Sequence, residues 1–185
     1  MHAYVDESHY AGPPSFYLLA AVLVDEESID RAREAMRALR VGKGRVHWHR
    51  ESPRRRRWLS VSVAELGLPT IVVIGTPVDL RKQERARRQC LEQLLWHLAE
   101  EGVSRCCLES RGRERDGSDR LAFAAFRGTG VLGRGLHVQH GLPGPEPLLW
   151  VADVVAGAAT EAEHGDARFL MNLGDRLTLY RFRPR

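Results

Sequence analysis

Acids stand at three places in this chain where a purely structural carboxylate is hard to accommodate. Asp6 and Glu7 close an apolar, strand-like run in the tetrad VDES, and a carboxylate ending a central strand faces the crevice where α/β sheets bind ligands. Glu109 closes a later run in CCLES; if its strand neighbours the first, the carboxylates converge. Asp153 is the only charge between Leu148 and Ala159. Burying an unpaired carboxylate costs several kcal/mol, so a hydroxyl, a structural arginine or a metal ion must compensate it. On a helical wheel Asp153 shares a face with Leu149, Ala156 and Thr160, and Gly157 lies one turn on, which would let the helix approach a sheet closely. Oxygen donors from two strands and one helix, without a cysteine or clustered-histidine set, suit Mg²⁺ or Mn²⁺ better than zinc. Paired ions of this kind, roughly 3.5–4 Å apart, activate a water and stabilise the leaving oxygen in phosphodiester hydrolysis. The expected activity is that of a metal-dependent nuclease in which Asp6 bridges the metals and Glu109 and Asp153 each complete one coordination sphere.

Histidines and arginines extend this set. His47 and His49 form an HxH pair, and alternate residues of an extended segment share a face, so both could bind a metal; Glu7 is a further auxiliary. His137 and His140 flank a later apolar run as further candidates. Arg54, Arg55 and Arg57, with Arg56, occupy the first turn of a helix, where the macrodipole disfavours cations, so their accumulation calls for an anion such as phosphate. Arg81, Arg85 and Arg88 make a second basic stripe opposite a leucine face. Trp58 and Trp96 lie nearby in sequence; as large apolar side chains they are expected in the core, with base stacking as the alternative. The expected partner is nucleic acid, bound through its phosphates rather than by sequence.

Composition agrees with such a partner. The chain has 185 residues, 28 of them lysine or arginine against 24 acids, for a net charge of +4. Lys43 and Lys82 are the only lysines, leaving 26 arginines, whose planar guanidinium groups bind phosphate oxygens bidentately. The 43% hydrophobic content suffices for one core, and the three cysteines without CxxC spacing argue against a disulfide framework or zinc ribbon. The longest nearly apolar run is far short of the roughly 20 residues that span a bilayer. A cytoplasmic protein without a membrane segment is expected. GxSxG, GxxxxGK[ST] and a strand-linked GxGxxG are absent from the sequence, which excludes the motif-bearing hydrolases, P-loop enzymes and dinucleotide binders.

The elements that must position these groups alternate. Strands are expected at His2 to Asp6, Phe16 to Val24, Thr70 to Gly75, Val103 to Leu108 and Leu136 to Gln139. Helices are expected from Ile29 to about Arg40, from Pro53 to Leu66 with Ser52 as N-cap, from about Leu80 to Glu101, from Asp119 to Phe126, from Leu148 to Glu163 and around Ala167 to Leu173. Gly128 to Gly135, with four glycines, reads as a mobile loop. Residues 1–185 are expected to form a single α/β domain, a central mixed β-sheet flanked by helices.

The runs YVDES and PLLWVADVVAGA, with the segment around His47, resemble the bacterial family catalogued as domain of unknown function 3800, whose members carry an early DE pair, a late QxxD motif and an RNase H-like fold. The resemblance implies that fold, places Asp6 and Glu7 at the DE pair and Asp153 at the last acid, leaves Glu109 as the strand-end acid between them, and favours His47 over His49 as a hydrogen-bond donor or proton-transfer group, since His47 falls at the family's histidine-bearing segment. Trp150 stands where that family has glutamine, which removes a polar contact near the site. It implies nuclease activity through the wider superfamily, by fold analogy. The rival expectation is a catalytically inactive nucleic-acid- or protein-binding module of a mobile-element or defence system. A homodimer is compatible with either reading.

Overall fold

The computed structural model describes residues 1–133 and 135–185, so residue 134 of the glycine-rich loop lies outside it. Among the described residues six strands form one sheet: β1 (His2–Tyr10), β2 (Phe16–Val24), β3 (Thr70–Gly75), β4 (Arg105–Glu109), β5 (His137–Gly141) and β6 (Leu177–Phe182). Their spatial order is β5-β4-β1-β2-β3-β6. The β1/β2 and β2/β3 pairs are antiparallel, whereas β4 runs parallel to β1 and to β5, and β6 runs parallel to β3. The uninterrupted apolar runs of β2 and β3 are buried along their whole length, because a strand covered on both faces has no solvent side to mark with polar residues.

Two helical layers cover the sheet. Phe16, Leu18, Ala20, Val22 and Val24 of β2 face a core built with α1 (Ile29–Ala38), α2 (Pro53–Glu65) and α5 (Pro147–Glu163). The intervening Tyr17, Leu19, Ala21 and Leu23 face α3 (Gln83–Glu100) and α4 (Arg113–Gly128). Ser52 caps α2 by accepting a hydrogen bond from the Arg55 N–H, and Pro53 takes the first helical position, where its missing N–H costs nothing.

The expected mixed sheet flanked by helices is observed, with three corrections. β1 continues four residues past Asp6 because Glu7, Ser8, His9 and Tyr10 find partners along β2; Asp6 and Glu7 are therefore mid-strand and point to opposite faces. α4 starts at Arg113 rather than Asp119. The chain ends in β6, which follows a 3₁₀ segment, Leu170–Arg176, in place of the expected last helix. No helix among the described residues is long and apolar enough to cross a membrane.

Candidate active site

Parallel pairing brings the first two acids together. Tyr4 lies opposite Cys107 and Val5 opposite Leu108, so the next step of the two strands sets Asp6 beside Glu109. Alternation puts both side chains on the α5 face, with Tyr4 and Cys107. α5 crosses that face, anchored by Thr160 Oγ1 donating to Ser8 Oγ at 2.8 Å, and carries Asp153 over the pair. Asp153 accepts the Trp48 N–H at 2.7 Å on Oδ2, and its Oδ1 lies 3.1 Å from His47 Nδ1. Arg45 Nη1 donates to Glu109 Oε1 at 3.2 Å. Asp6, Glu109, Asp153 and His47 are therefore gathered on one side of the sheet.

The segment carrying Arg45 and His47 is held by its tryptophan. Trp48 is fully buried, and a Cβ added at Gly157 would run into its ring. Gly157 thus makes room for Trp48, not for the sheet as its place on the helical wheel suggested. The Arg56 guanidinium sits over the same indole at 5.3 Å, donates from Nε to the Trp48 carbonyl at 3.1 Å and from Nη1 to Glu161 at 2.7 Å. Phe169 closes the far edge in a T-shaped contact at 5.2 Å. These contacts fix the backbone on either side of His47.

Charge at this site is poorly compensated. Burial pushes the Asp6 carboxyl well above its ordinary value, the Glu109 and Asp153 charges push it further, and only the Glu7 N–H, donating at 2.8 Å, acts against them. No arginine, lysine or histidine pairs with Asp6 among the described residues. Burial also raises Glu109, with Arg45 opposing and Asp153 reinforcing the shift. An all-oxygen donor set with a half-buried, unpaired member is what a hard cation would neutralise, so the residues fit such an ion. Their donor atoms are not drawn into one tight group, because Arg45 holds Glu109 while His47 and the Trp48 N–H hold Asp153.

Across the sheet the charges do pair. Glu7 accepts from Tyr17 Oη at 2.5 Å and Arg87 Nε at 2.7 Å, and Arg87 also grips Asp119 through both terminal nitrogens, at 2.5 and 3.0 Å. His140 Nε2 is 2.9 Å from Asp119. Asp116 accepts from Ser110 Oγ and the Arg111 N–H at 2.6 and 2.9 Å, and Arg111 Nη1 donates to Glu84 at 2.8 Å. Burial alone would raise Asp119, but His140 and Arg87 outweigh it and hold the carboxyl below its ordinary value. Ligand atoms of Asp116, Asp119 and His140 lie within 4.8 Å of one another, yet the guanidinium of Arg87 already supplies the positive charge there. Glu7 therefore belongs to this network and not to the Asp6 site. The sequence signal for it was Arg87 itself, an arginine in register with Leu91, Leu94 and Leu98 on the buried stripe of α3.

The arginines divide similarly. Arg54 and Arg57 lie toward solvent at the start of α2, whereas Arg56 is built into the Trp48 seat and Arg55 donates to the Leu39 carbonyl and lies over the Trp58 ring. Arg81, Arg85 and Arg88 are on the α3 side, behind the sheet from Asp6, so the two expected basic clusters do not form one surface around the carboxylates. His49 and His137 are both exposed. Trp58 and Trp96, expected in the core, are 44% and 47% exposed, while Trp48 and Trp150 are buried; Trp150 donates from Nε1 to the Pro143 carbonyl at 2.5 Å.

Comparison with solved structures gives this architecture its class. RNase HII from Archaeoglobus fulgidus, solved in complex with PCNA, superposes with a TM-score of 0.56 at 16% identity over 95% of this chain and 78% of that one. A mutant form of Bst-RNase HIII gives 0.54 at 13% identity over 88% of this chain and 52% of its own. No protein-family model matches the chain, and no curated protein matches it either. The fold is RNase H-like.

Proposed function

We propose that the protein hydrolyses phosphodiester bonds in nucleic acid with a divalent cation, Mg²⁺ or Mn²⁺, held by Asp6, Glu109 and Asp153. One observation carries the reading: parallel pairing of β1 with β4 and the crossing of α5 concentrate three carboxylates on one face, where burial and mutual repulsion raise the Asp6 carboxyl and no cation pairs with it among the described residues. The RNase H-like fold supports it, and YVDES and PLLWVADVVAGA support placing the chain with the domain of unknown function 3800 family within that fold. When bound, the cation supplies an activated water and charge stabilisation at the leaving oxygen.

The remaining groups are protein chemistry. His47 presents Nδ1 to Asp153, which orients the ring and leaves Nε2 to exchange a proton with water or with the leaving oxygen. Arg45, released from Glu109, is placed to hold a phosphate oxygen. The Trp48 N–H fixes the second oxygen of Asp153, so that carboxylate is oriented before any ligand arrives.

Asp6→Asn and Asp153→Asn should each lower Mn²⁺-dependent cleavage of a mixed single- and double-stranded substrate panel by about 10³-fold, the scale of several kcal/mol of transition-state stabilisation. Calorimetry with Mn²⁺ should show binding to the native protein that Asp6→Asn removes. Full cleavage in both variants would overturn the assignment of the site.

A further inference from the structure

We propose that the outward face of α2 and the turn before it form a seat for single-stranded nucleic acid, in which Trp58 stacks on an unpaired base while Arg54 and Arg57 hold the flanking phosphates. Trp58 exposes 44% of its surface on a helix that buries Leu59 and Val63 on its other side, so the core does not need it there. The Arg55 guanidinium lies 4.2 Å from the ring centroid and steadies one face of the indole. Arg54 and Arg57, four and one positions before Trp58, have no acidic partner among the described residues. Arg50, exposed just before α2, continues the basic surface back toward His47.

The chemistry selects the occupant. An aromatic ring flanked by unpaired cations suits a strand whose phosphates repeat along a backbone and whose bases are free to stack. A duplex offers the same phosphates but keeps its bases inside, so it would leave Trp58 unused. The seat is also tied to the carboxylates. Arg56 on the first turn of α2 bonds the Trp48 carbonyl, and the Trp48 N–H bonds Asp153. A strand lying along α2 is thereby held at a fixed offset from Asp6 and Glu109. This inference rests on the nuclease reading for its direction toward those acids, and its test is independent of cleavage.

The experiment uses the full chain carrying Asp6→Asn, in chelator, and titrates oligothymidylate and oligouridylate of roughly 12 nucleotides, within the site sizes usual for such grooves. Both strands should quench tryptophan fluorescence, and Trp58→Ala should weaken binding by about 10-fold or more, with Trp58→Phe restoring most of it. Trp96→Phe should bind as the parent does. Replacing Arg54 and Arg57 by alanine should flatten the salt dependence, by about 0.7 in log–log slope for each phosphate no longer neutralised. Unchanged affinity in Trp58→Ala, or a blunt duplex that competes as well as the single strand, would overturn the proposal. So would concentration-dependent self-association that Trp58→Ala abolishes, since Trp58 would then be covered by a second copy. Intact binding with no cleavage by the native chain would instead sink the nuclease reading alone.

Discussion

Asp6 and Glu7 are consecutive residues of one strand, yet their surroundings differ in kind. Glu7 meets a phenol and a guanidinium and passes its charge into a network that also satisfies Asp119, Asp116 and His140. Asp6 receives one backbone N–H and faces two more carboxylates. The pleat alone separates them, and the separation assigns two tasks. Where each carboxylate has a cation or donor, charge holds the fold together. Where one lacks a partner, the fold carries a cost that ligand binding can recover. Two carboxylates in adjacent positions therefore make a poor joint site in a strand, however suggestive they are as a pair.

The comparison breaks first at Arg87, which is 2% exposed and bonds both Glu7 and Asp119. Arg87→Met would leave the buried Asp119 and the half-buried Glu7 without their principal cation. Removal of one partner from a buried pair costs about 3–5 kcal/mol, and urea denaturation should read a loss of that size. A loss below about 1 kcal/mol would mean that water or Arg111 already supports these acids, and the contrast between the faces would collapse. Calorimetric Mn²⁺ binding by the surviving folded fraction should persist, because the ion pairs of Arg87 are with Glu7 and Asp119 and not with the Asp6 site.

A smaller effect tests whether the site depends on its loop. Gly157→Ala puts a methyl group against the Trp48 ring, and overpacking of this kind costs about 1–3 kcal/mol. The larger consequence is positional. Trp48 must shift, and His47 and the N–H that orient Asp153 shift with it; displacement by about 1 Å at such a site costs on the order of 10² in rate. Cleavage that falls far more than stability would identify Gly157 as a positioning residue. If both stay unchanged, the Trp48 seat has slack that the packing does not suggest.

These residues also mark what was legible beforehand. β2 and β3 were readable to the residue, since an unbroken apolar run between turn residues has few alternatives to a buried strand. Asp153 was readable as a lone charge in an apolar helix, and its convergence with Asp6 and Glu109 needed only neighbouring strands. The face of Glu7 was not readable, because it depended on β1 running on past Asp6, and His9 and Tyr10 look like loop residues until β2 supplies their partners. Trp58 and Trp96 were misplaced for a related reason: residue type favours burial, while the helix phase set by Leu59 and Val63, or by Leu94, Leu95 and Leu98, turns both outward. β6 has a half-exposed pattern that resembles an extended tail until the edge of β3 is known to be open.

The smallest effect gives the sharpest sign. Asp6 titrates above its ordinary value of 3.8 in the folded protein, so its ionised form opposes folding. The stability available to the protonated group is complete below about pH 3.8 and is lost as pH rises through the folded value. Asp119 is shifted the other way, from the same 3.8; its contribution is present above that pH and is lost as pH falls through the lower folded value. Asp6→Asn, which mimics the protonated acid, should therefore raise the melting temperature at neutral pH by roughly 2–4 °C, the scale of 1 kcal/mol in a domain of this size. The advantage should vanish in acid, where the native Asp6 is itself protonated, and should shrink or reverse when saturating Mn²⁺ stabilises the native folded state. Melting temperatures of both proteins from about pH 4 to about pH 8, with and without Mn²⁺, separate these outcomes. Should Asp6→Asn melt below the native protein at neutral pH, Asp6 would be as well compensated as Glu7, and the two faces of β1 would not differ in the way that makes one of them a site.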